Sequence, residues 1–409
     1  MKKIPKLRFK EFKDDWQREK LHYLSELIKD GTHGTHKDVK NGIFLLSAKD
    51  IKDGKIQIQK DCRKISFDDF GKIHKNYILQ NKDLLLTIVG TIGEVGMVEN
   101  YNRNYTFQRS VAIIRLQKQK LNPKYGLQYF KTNIFQTFLK NKTNSSAQAG
   151  VYLGELSKID MSFPSLEEQK KIADFLSTVD VKINLTEEKL TLLKNYKRGI
   201  IQKIFNQELR FKDKDGNNYP KWKIKKIGEI SKVQGGYAFK SENFKNDGIP
   251  IIRISNLSSN GFGIDKNNLV FYNKIENEKS FVITKGNLLI ALSGATIGKI
   301  AIYNMLCKGY LNQRVAVFRK NEKFYYNFLI QFVKTVQFSN QLENIIVTGA
   351  QPNISTKDIE NFNINLPCLE EQQKIADFLS SIDDKIEKLS SKLEELKEFK
   401  KGLLQQMFV

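Results

Sequence analysis

Four histidines occur among the 409 residues, and two of them, His33 and His36, stand three apart, a spacing that could hold a metal ion if a third ligand came near. No cluster of Cys, His, Asp or Glu in the sequence supplies that ligand. Asn122-Pro123-Lys124-Tyr125 approaches the Asn-Pro-Pro-Tyr loop that grips a flipped base. The second proline is missing and no glycine-rich cofactor loop precedes it, so the segment reads as a helix start. Gly294-Ala-Thr-Ile-Gly298-Lys299 is one residue short of a phosphate loop and lacks the Ser or Thr that would hold magnesium, so it reads as a tight β-turn. Glu-x-Lys spacings such as Glu395-Leu396-Lys397 fall in heptad sequence, where solvated charges are expected. The sequence thus offers no nucleophile, metal set or cofactor loop, and no catalysis by this chain is expected.

Recognition chemistry is what remains. Asp30-Gly-Thr-His-Gly-Thr-His36 carries Thr32, His33, Thr35 and His36, and the strand that follows ends at Lys49. In the second half, Gln234–Lys240 carries Tyr237 and Lys240, and the stretch after it carries Arg253 and Asn256. Gly-rich turns let backbone approach a ligand closely, and these side-chain types contact base edges and phosphates. The nine residues are therefore the candidate nucleic-acid contacts. Gln108-Arg109 and Gln313-Arg314 recur at matching places in the two halves, which points to the shared fold or to a nucleic-acid backbone rather than to the reading of one base.

These candidates are positioned by a scaffold that occurs twice. Residues 166–183, LEEQKKIADFLSTVDVKI, return 203 positions later (369 − 166) as LEEQQKIADFLSSIDDKI, with 14 of 18 positions identical. Leu7-Arg8-Phe9 returns as Leu209-Arg210-Phe211, and Trp16 answers Trp222. Thr91-Ile92-Gly93 answers Thr296-Ile297-Gly298, Ala147-Gln148 answers Ala350-Gln351, and Phe163-Pro164 answers Leu366-Pro367. Outside these anchors the halves hardly match, as expected of two readers of different information on one frame.

Composition limits the partner. With 68 Lys+Arg against 45 Asp+Glu, a formal +23, the chain should attract a polyanion such as double-stranded DNA. Three scattered cysteines, Cys62, Cys307 and Cys368, support neither a disulfide framework nor a zinc knuckle. No run approaches a membrane span and the Lys-rich start has no apolar signal region, so the expected location is cytoplasmic, with no membrane partner.

Two long amphipathic helices are expected. Ser165-Leu-Glu-Glu168 reads as a capping box opening the first. Its apolar stripe runs Ile172, Leu176, Val179, Ile183, Leu190 and Leu193, with Thr186 and Lys197 in two vacant slots. The second runs Ile375, Leu379, Ile382, Ile386, Leu393 and Leu396, with Lys400 at the slot of Lys197. A helix of ~42 residues spans about 60 Å, wider than a core of ~150 residues. The two stripes are therefore expected to bury mainly against each other, antiparallel if the halves are related by a two-fold axis. The fold class is α/β: two pseudo-two-fold-related mixed α/β domains separated by two long antiparallel coiled-coil helices. The expected ranges are 1–163 and 208–366 for the domains and 164–207 and 367–409 for the helices. Aromatics at helical spacing, Phe130, Phe135, Phe138, Phe324, Phe328, Phe332 and Phe338, read as core.

With the repeated EQ-x-KIADFLS helix, the TIG turn, the QR pair and Ala350-Gln-Pro-Asn-Ile-Ser355, the whole chain resembles the specificity subunit of a type I restriction-modification system. The first half departs at Ala147-Gln-Ala-Gly-Val-Tyr152, where the Pro-Asn-Ile-Ser is absent. The resemblance implies that each domain is a target recognition domain for one half of a split DNA sequence, with the helices as a ruler between the halves. It implies a non-catalytic subunit that binds two modification (methyltransferase) subunits and ATP-dependent restriction subunits. S-adenosylmethionine, ATP and magnesium would then belong to those partners. The other class that would explain charge and helices, a coiled-coil DNA-binding regulator or architectural protein, would not usually duplicate whole recognition domains in one chain.

Overall fold

The computed structural model describes residues 4–52, 54–143, 150–258, 262–276, 280–348 and 353–409. Ala147-Gln148 and Ala350-Gln-Pro352 lie outside them. The chain divides into two compact units, Met1–Glu188 with Ser390–Val409, and Lys189–Leu389. Both boundaries fall within the long helices, Leu166–Phe205 and Leu369–Gln406, so each unit holds part of each.

In the first unit the apolar runs Leu84–Thr87 and Val111–Leu116 are nearly all buried and form the middle of a four-stranded sheet, flanked by Ser25–Asp30 and Val95–Met97. A second sheet places Ile43–Leu46 between Lys64–Ile65 and Tyr105–Phe107, and the pair Ile43–Leu46/Tyr105–Phe107 is parallel. The ribbon Gln17–Lys20/Asp160–Phe163 leads into the first long helix. Helix Pro123–Phe130 starts where expected: the Asn122 side chain accepts from the amides of Lys124 and Tyr125, and Pro123 takes the first turn, where its missing N–H costs nothing.

The second unit repeats this plan. Val233–Gly235, Val315–Phe318, Leu288–Ala291 and Ile300–Ile302 form its four-stranded sheet in that order. Ile249–Ile252 pairs in parallel with Gly309–Leu311, and Lys223–Lys226 pairs with Asn363–Leu366. Phe130, Phe135, Phe324, Phe328, Phe332 and Phe338 are buried core, as their spacing predicted, while Phe138 is half-buried. The TIG segments close the hairpins between paired sheet strands, with Gly93 at φ +97° and Gly298 at φ +77°. The positive φ is what asks for glycine in this turn, and a Cβ on Gly298 would in addition push aside the Leu342 side chain, 2.2 Å away.

Within each unit the long helices run antiparallel. In the first, Asp180 meets Lys400 and Glu187 meets Lys397; in the second, Lys197 meets Asp383. Ile172, Leu176, Val179, Ile183, Leu190, Ile375, Leu379, Ile382 and Leu393 are buried, and Leu193, Ile386 and Leu396 are half-buried. The expectation that these stripes bury mainly against each other needs correction. Ile375 and Leu379 join Ile201, Ile204 and Phe205 in one core with Phe328, Phe332 and Ile364, so the helix ends are built into the globular core of their unit. The aromatic helix Tyr326–Phe332 supplies the apolar surface that makes this possible.

Candidate nucleic-acid interface

In the first unit the parallel strands Ile43–Leu46 and Tyr105–Phe107 release their chains at the same end, as Ser47–Lys49 and as Gln108-Arg109. Three contacts join these segments to the loop at Thr32. The Gln108 amide donates to Leu46 O (2.8 Å), the Thr32 amide to Phe107 O (2.8 Å), and the Arg109 amide to Thr32 O (3.0 Å). Only glycine allows the approach, because a Cβ on Gly31 would lie 2.1 Å from Phe107 O. Thr32, Lys49 and Arg109 thereby share one strand-end rim.

The second unit builds the same rim from different residues. The Asn312 amide donates to Ile252 O (3.0 Å), the Tyr237 amide to Leu311 O (2.7 Å), and the Gln313 amide to Tyr237 O (2.9 Å). Gly236 stands where Gly31 does: a Cβ there would lie 2.2 Å from Leu311 O. Tyr237, Arg253 and Asn312-Gln313 are gathered as Thr32, the Ser47–Lys49 segment and Gln108-Arg109 are gathered in the first unit, so the match of Gln108-Arg109 to Gln313-Arg314 is corrected by one residue: Gln313 stands where Arg109 does, and Arg314 where Ser110 does.

The side chains sort the candidates. Thr35, Lys49, Tyr237 and Lys240 are exposed, and Lys240 faces Glu242 only loosely at 3.9 Å. The Tyr237 ring leans on Phe281 and Phe239, with centroids 5.0 and 5.1 Å away, which fixes it while leaving half its surface open. His33 is exposed and bonded to Asp30 Oδ2 at 2.5 Å. Arg253 is half-buried, with one terminal nitrogen donating to Asn268 O at 2.7 Å. Two candidates are corrected. Asn256 is fully buried: its Oδ1 accepts from the Arg253 amide (3.1 Å) and its Nδ2 donates to Asp265 O (3.3 Å), so it holds the loop rather than a base. The His36 ring lies between Thr32 Oγ1 (2.9 Å) and Asp69 Oδ2 (3.5 Å) with its side chain 11% exposed, so it braces the loop that presents Thr32. Among the described residues no group of three His, Cys, Asp or Glu could hold a metal ion.

The identical residues of the long-helix repeat turn out to be joinery. Arg8 makes a two-pronged ion pair with buried Glu168 (2.7 and 2.7 Å), and Arg210 makes the same pair with buried Glu371 (3.1 and 2.7 Å). Glu168 is therefore not the reciprocal half of a capping box, although the Ser165 hydroxyl does accept from its amide at 3.4 Å. Gln169 and Gln372 cap the aromatic helices of their units by accepting from the amides of Asn122 (2.8 Å) and Tyr325 (2.9 Å). Below them sits a network that the sequence showed only as a lysine in an apolar slot. Asp180 is gripped by Lys400, Lys131 and Gln128, and its repeat partner Asp383 by Lys197, Lys334 and Gln331. Burial works to raise the Asp383 carboxyl, but the Lys334 and Lys197 cations outweigh it and hold it below its ordinary value. Lys197 is pushed down to about 8 by burial and then by the Lys334 cation, against the upward pull of Asp383.

Two copies of one sheet-and-rim unit, each joined to the same pair of long helices, define a duplicated recognition module. The model of the type I restriction modification DNA specificity domain matches residues 13–195 and again 219–398, and the chain belongs to that family, carrying its domain twice. It is 27% identical over 348 residues to the MjaVIII specificity subunit of Methanocaldococcus jannaschii, covering 81% of this chain and 79% of the relative. It is likewise 27% identical over 413 residues to the putative MjaX specificity subunit of that organism, covering 96% and 93%. In fold it matches the type I restriction-modification S subunit from M. genitalium, with a TM-score of 0.65 at 16% identity over 100% of this chain and 99% of the other. Among the described residues no helix is long and apolar enough to cross a membrane.

Proposed function

We propose that this chain is the DNA-specificity subunit of a type I restriction-modification complex: each unit reads one half of a bipartite target, and the chain directs partner methyltransferase and restriction subunits to it without doing chemistry itself. The observation that carries this is the duplicated rim. Strand ends, bridged loop and obligatory glycine are kept in both units, while the presented side chains differ, Thr32 and His33 in one and Tyr237 in the other. A frame that is constant while its display varies suits two different half-sites. S-adenosylmethionine, ATP and magnesium then belong to the partner subunits.

Co-expression with a type I modification subunit, followed by methylation mapping, tests the proposal. The chain should co-purify with that subunit, and the complex should methylate one split sequence in the presence of S-adenosylmethionine. Methyl transfer by the isolated chain, or failure to associate with any modification subunit, would overturn it.

A further inference from the structure

Beneath the second rim the rings of Phe239, Phe281, Tyr310 and Tyr272 form one aromatic cluster in the core of their unit. Phe239 stacks on Tyr310 with centroids 5.7 Å apart, and Phe281 meets Tyr310 edge to face at 5.2 Å. Tyr237 is the outermost ring of this cluster and the one that is exposed. Phe281 lies against it at 5.0 Å with a tilt of 33°, and Phe239 meets it edge to face at 5.1 Å. The hydroxyls of the inner tyrosines are occupied, Tyr310 accepting from the Ile275 amide (3.0 Å) and Tyr272 from the Asn243 side-chain amide (3.2 Å). The Tyr237 hydroxyl has no partner among the described residues. Its main chain is held on both sides, the amide on Leu311 O (2.7 Å) and the carbonyl by the Gln313 amide (2.9 Å). Tyr237 is thus an apolar plate fixed on rigid backbone, with half its surface open. The first rim has Thr32 at this place, its hydroxyl engaged by His36 and the Gly34 amide. None of Ser47–Lys49, Gln108-Arg109, Arg253 and Asn312-Gln313, the other residues gathered at the rims, is aromatic.

What such a plate can meet on a duplex is limited. A wedge that enters between base steps needs both of its faces free, and Phe281 already covers part of this ring. In an intact duplex the base faces are covered by their neighbours, and the apolar group that a base edge still displays is the 5-methyl of thymine in the major groove. We propose that Tyr237 reads a thymine in the half-site of its unit by packing the open part of its ring on that methyl group. The aromatic cluster beneath keeps the ring from turning away, so the contact costs little side-chain entropy. This rests on the DNA-specificity reading above.

The test uses the complex reconstituted with its modification subunits and the target mapped by methylation. Each thymine of both half-sites, on either strand, is replaced singly by uracil, which removes the methyl and keeps the pairing. With wild type, a replacement in one half-site should weaken binding about four-fold, the worth of one methyl taken out of water. Tyr237→Ala should make the thymine and uracil duplexes equal at that position and leave the other half-site as it was. Tyr237→Phe, which loses only the hydroxyl, should keep the uracil penalty. The wild-type scan needs no variant, so the proposal stays open to refutation if the alanine variant disturbs the cluster: a target with no thymine sensitive to loss of its methyl overturns it. So does a penalty that persists undiminished in Tyr237→Ala, which would give that thymine to another residue. A 2-aminopurine in the half-site whose fluorescence rises on binding wild type but not Tyr237→Ala would make the ring a support for an unstacked base, and also overturns it. A wild-type complex that methylates no split sequence would instead sink the specificity-subunit reading, and this assignment with it.

Discussion

At Asn256 a side chain suited to reading adenine is occupied by its own loop. Its amide closes the turn after Ile249–Ile252 by reaching main-chain atoms of Arg253, Asp265 and Asn267. Asn256→Ala should therefore cost about 1–3 kcal/mol of stability by leaving buried groups unpaired, while methylation mapping at low temperature returns the same target; an altered target would reinstate it as a reader. Arg253 differs, because Asn268 O engages only one end of its half-buried guanidinium. If it reads guanine, Arg253→Ala loses roughly 1–3 kcal/mol of discrimination at one base pair of one half-site. Uniform weakening of all sequences would demote it to a backbone contact. The sequence showed which residue types were present in these loops but not which way they faced. Burial of Asn256 depends on carbonyls nine and eleven residues further on, and that of His36 on Asp69 from another element. Neither separation carries a periodic signal.

The long helices were legible because a sustained heptad admits few other readings, and Lys197 and Lys400 stood out as cations in an apolar stripe. Their partners were not legible, since each aspartate lies on the other helix and each glutamine on a helix of the globular domain, Gln331 in Tyr326–Phe332 and Gln128 in Pro123–Phe130. The lysine makes a pH prediction with a definite sign. With Lys197 pushed down to about 8 from the ordinary 10.5, the unfolded chain holds a proton between those values that the folded chain has released. This group's contribution to stability therefore rises with pH across that window, and below about 8 the cost of burying the ammonium is present in full. Denaturant unfolding of wild type and Lys197→Met near pH 8 and near pH 10 should show the difference moving in favour of wild type as pH rises. The opposite trend would mean that Asp383 keeps the ammonium charged throughout. The Arg210–Glu371 pair gives a larger effect, because Glu371 is fully buried and also accepts from Trp222 Nε1 at 3.0 Å. Glu371→Ala should cost about 3–5 kcal/mol and change Trp222 emission, and a loss below about 1 kcal/mol would show that the pair contributes little beyond placement.

Across the whole chain, the repeat is a division between what is kept and what varies. Kept residues either lock the long helices to their units, as Arg8, Glu168, Gln169 and Asp180 do and Arg210, Glu371, Gln372 and Asp383 do again, or shape the rim, as Gly31 and Gly236 do. Varied residues face outward from the rim. The chain passes between the two units only at residues 188–189 and 389–390, inside the helices Leu166–Phe205 and Leu369–Gln406. No loop or sheet strand crosses there, so a change in helix length at those points leaves each rim, and each set of lysine, aspartate and glutamine contacts, untouched. Inserting the same whole number of heptads into both helices keeps the apolar stripes in phase. Such a variant, paired with its modification subunits, should methylate a target whose two half-sites are the wild-type sequences and whose unspecified gap is longer. Insertion into one helix alone should put its stripe out of step with the other and abolish activity. Methylation mapping decides between the possibilities: a gap that stays the same length after matched insertions would show that the helices do not set the spacing.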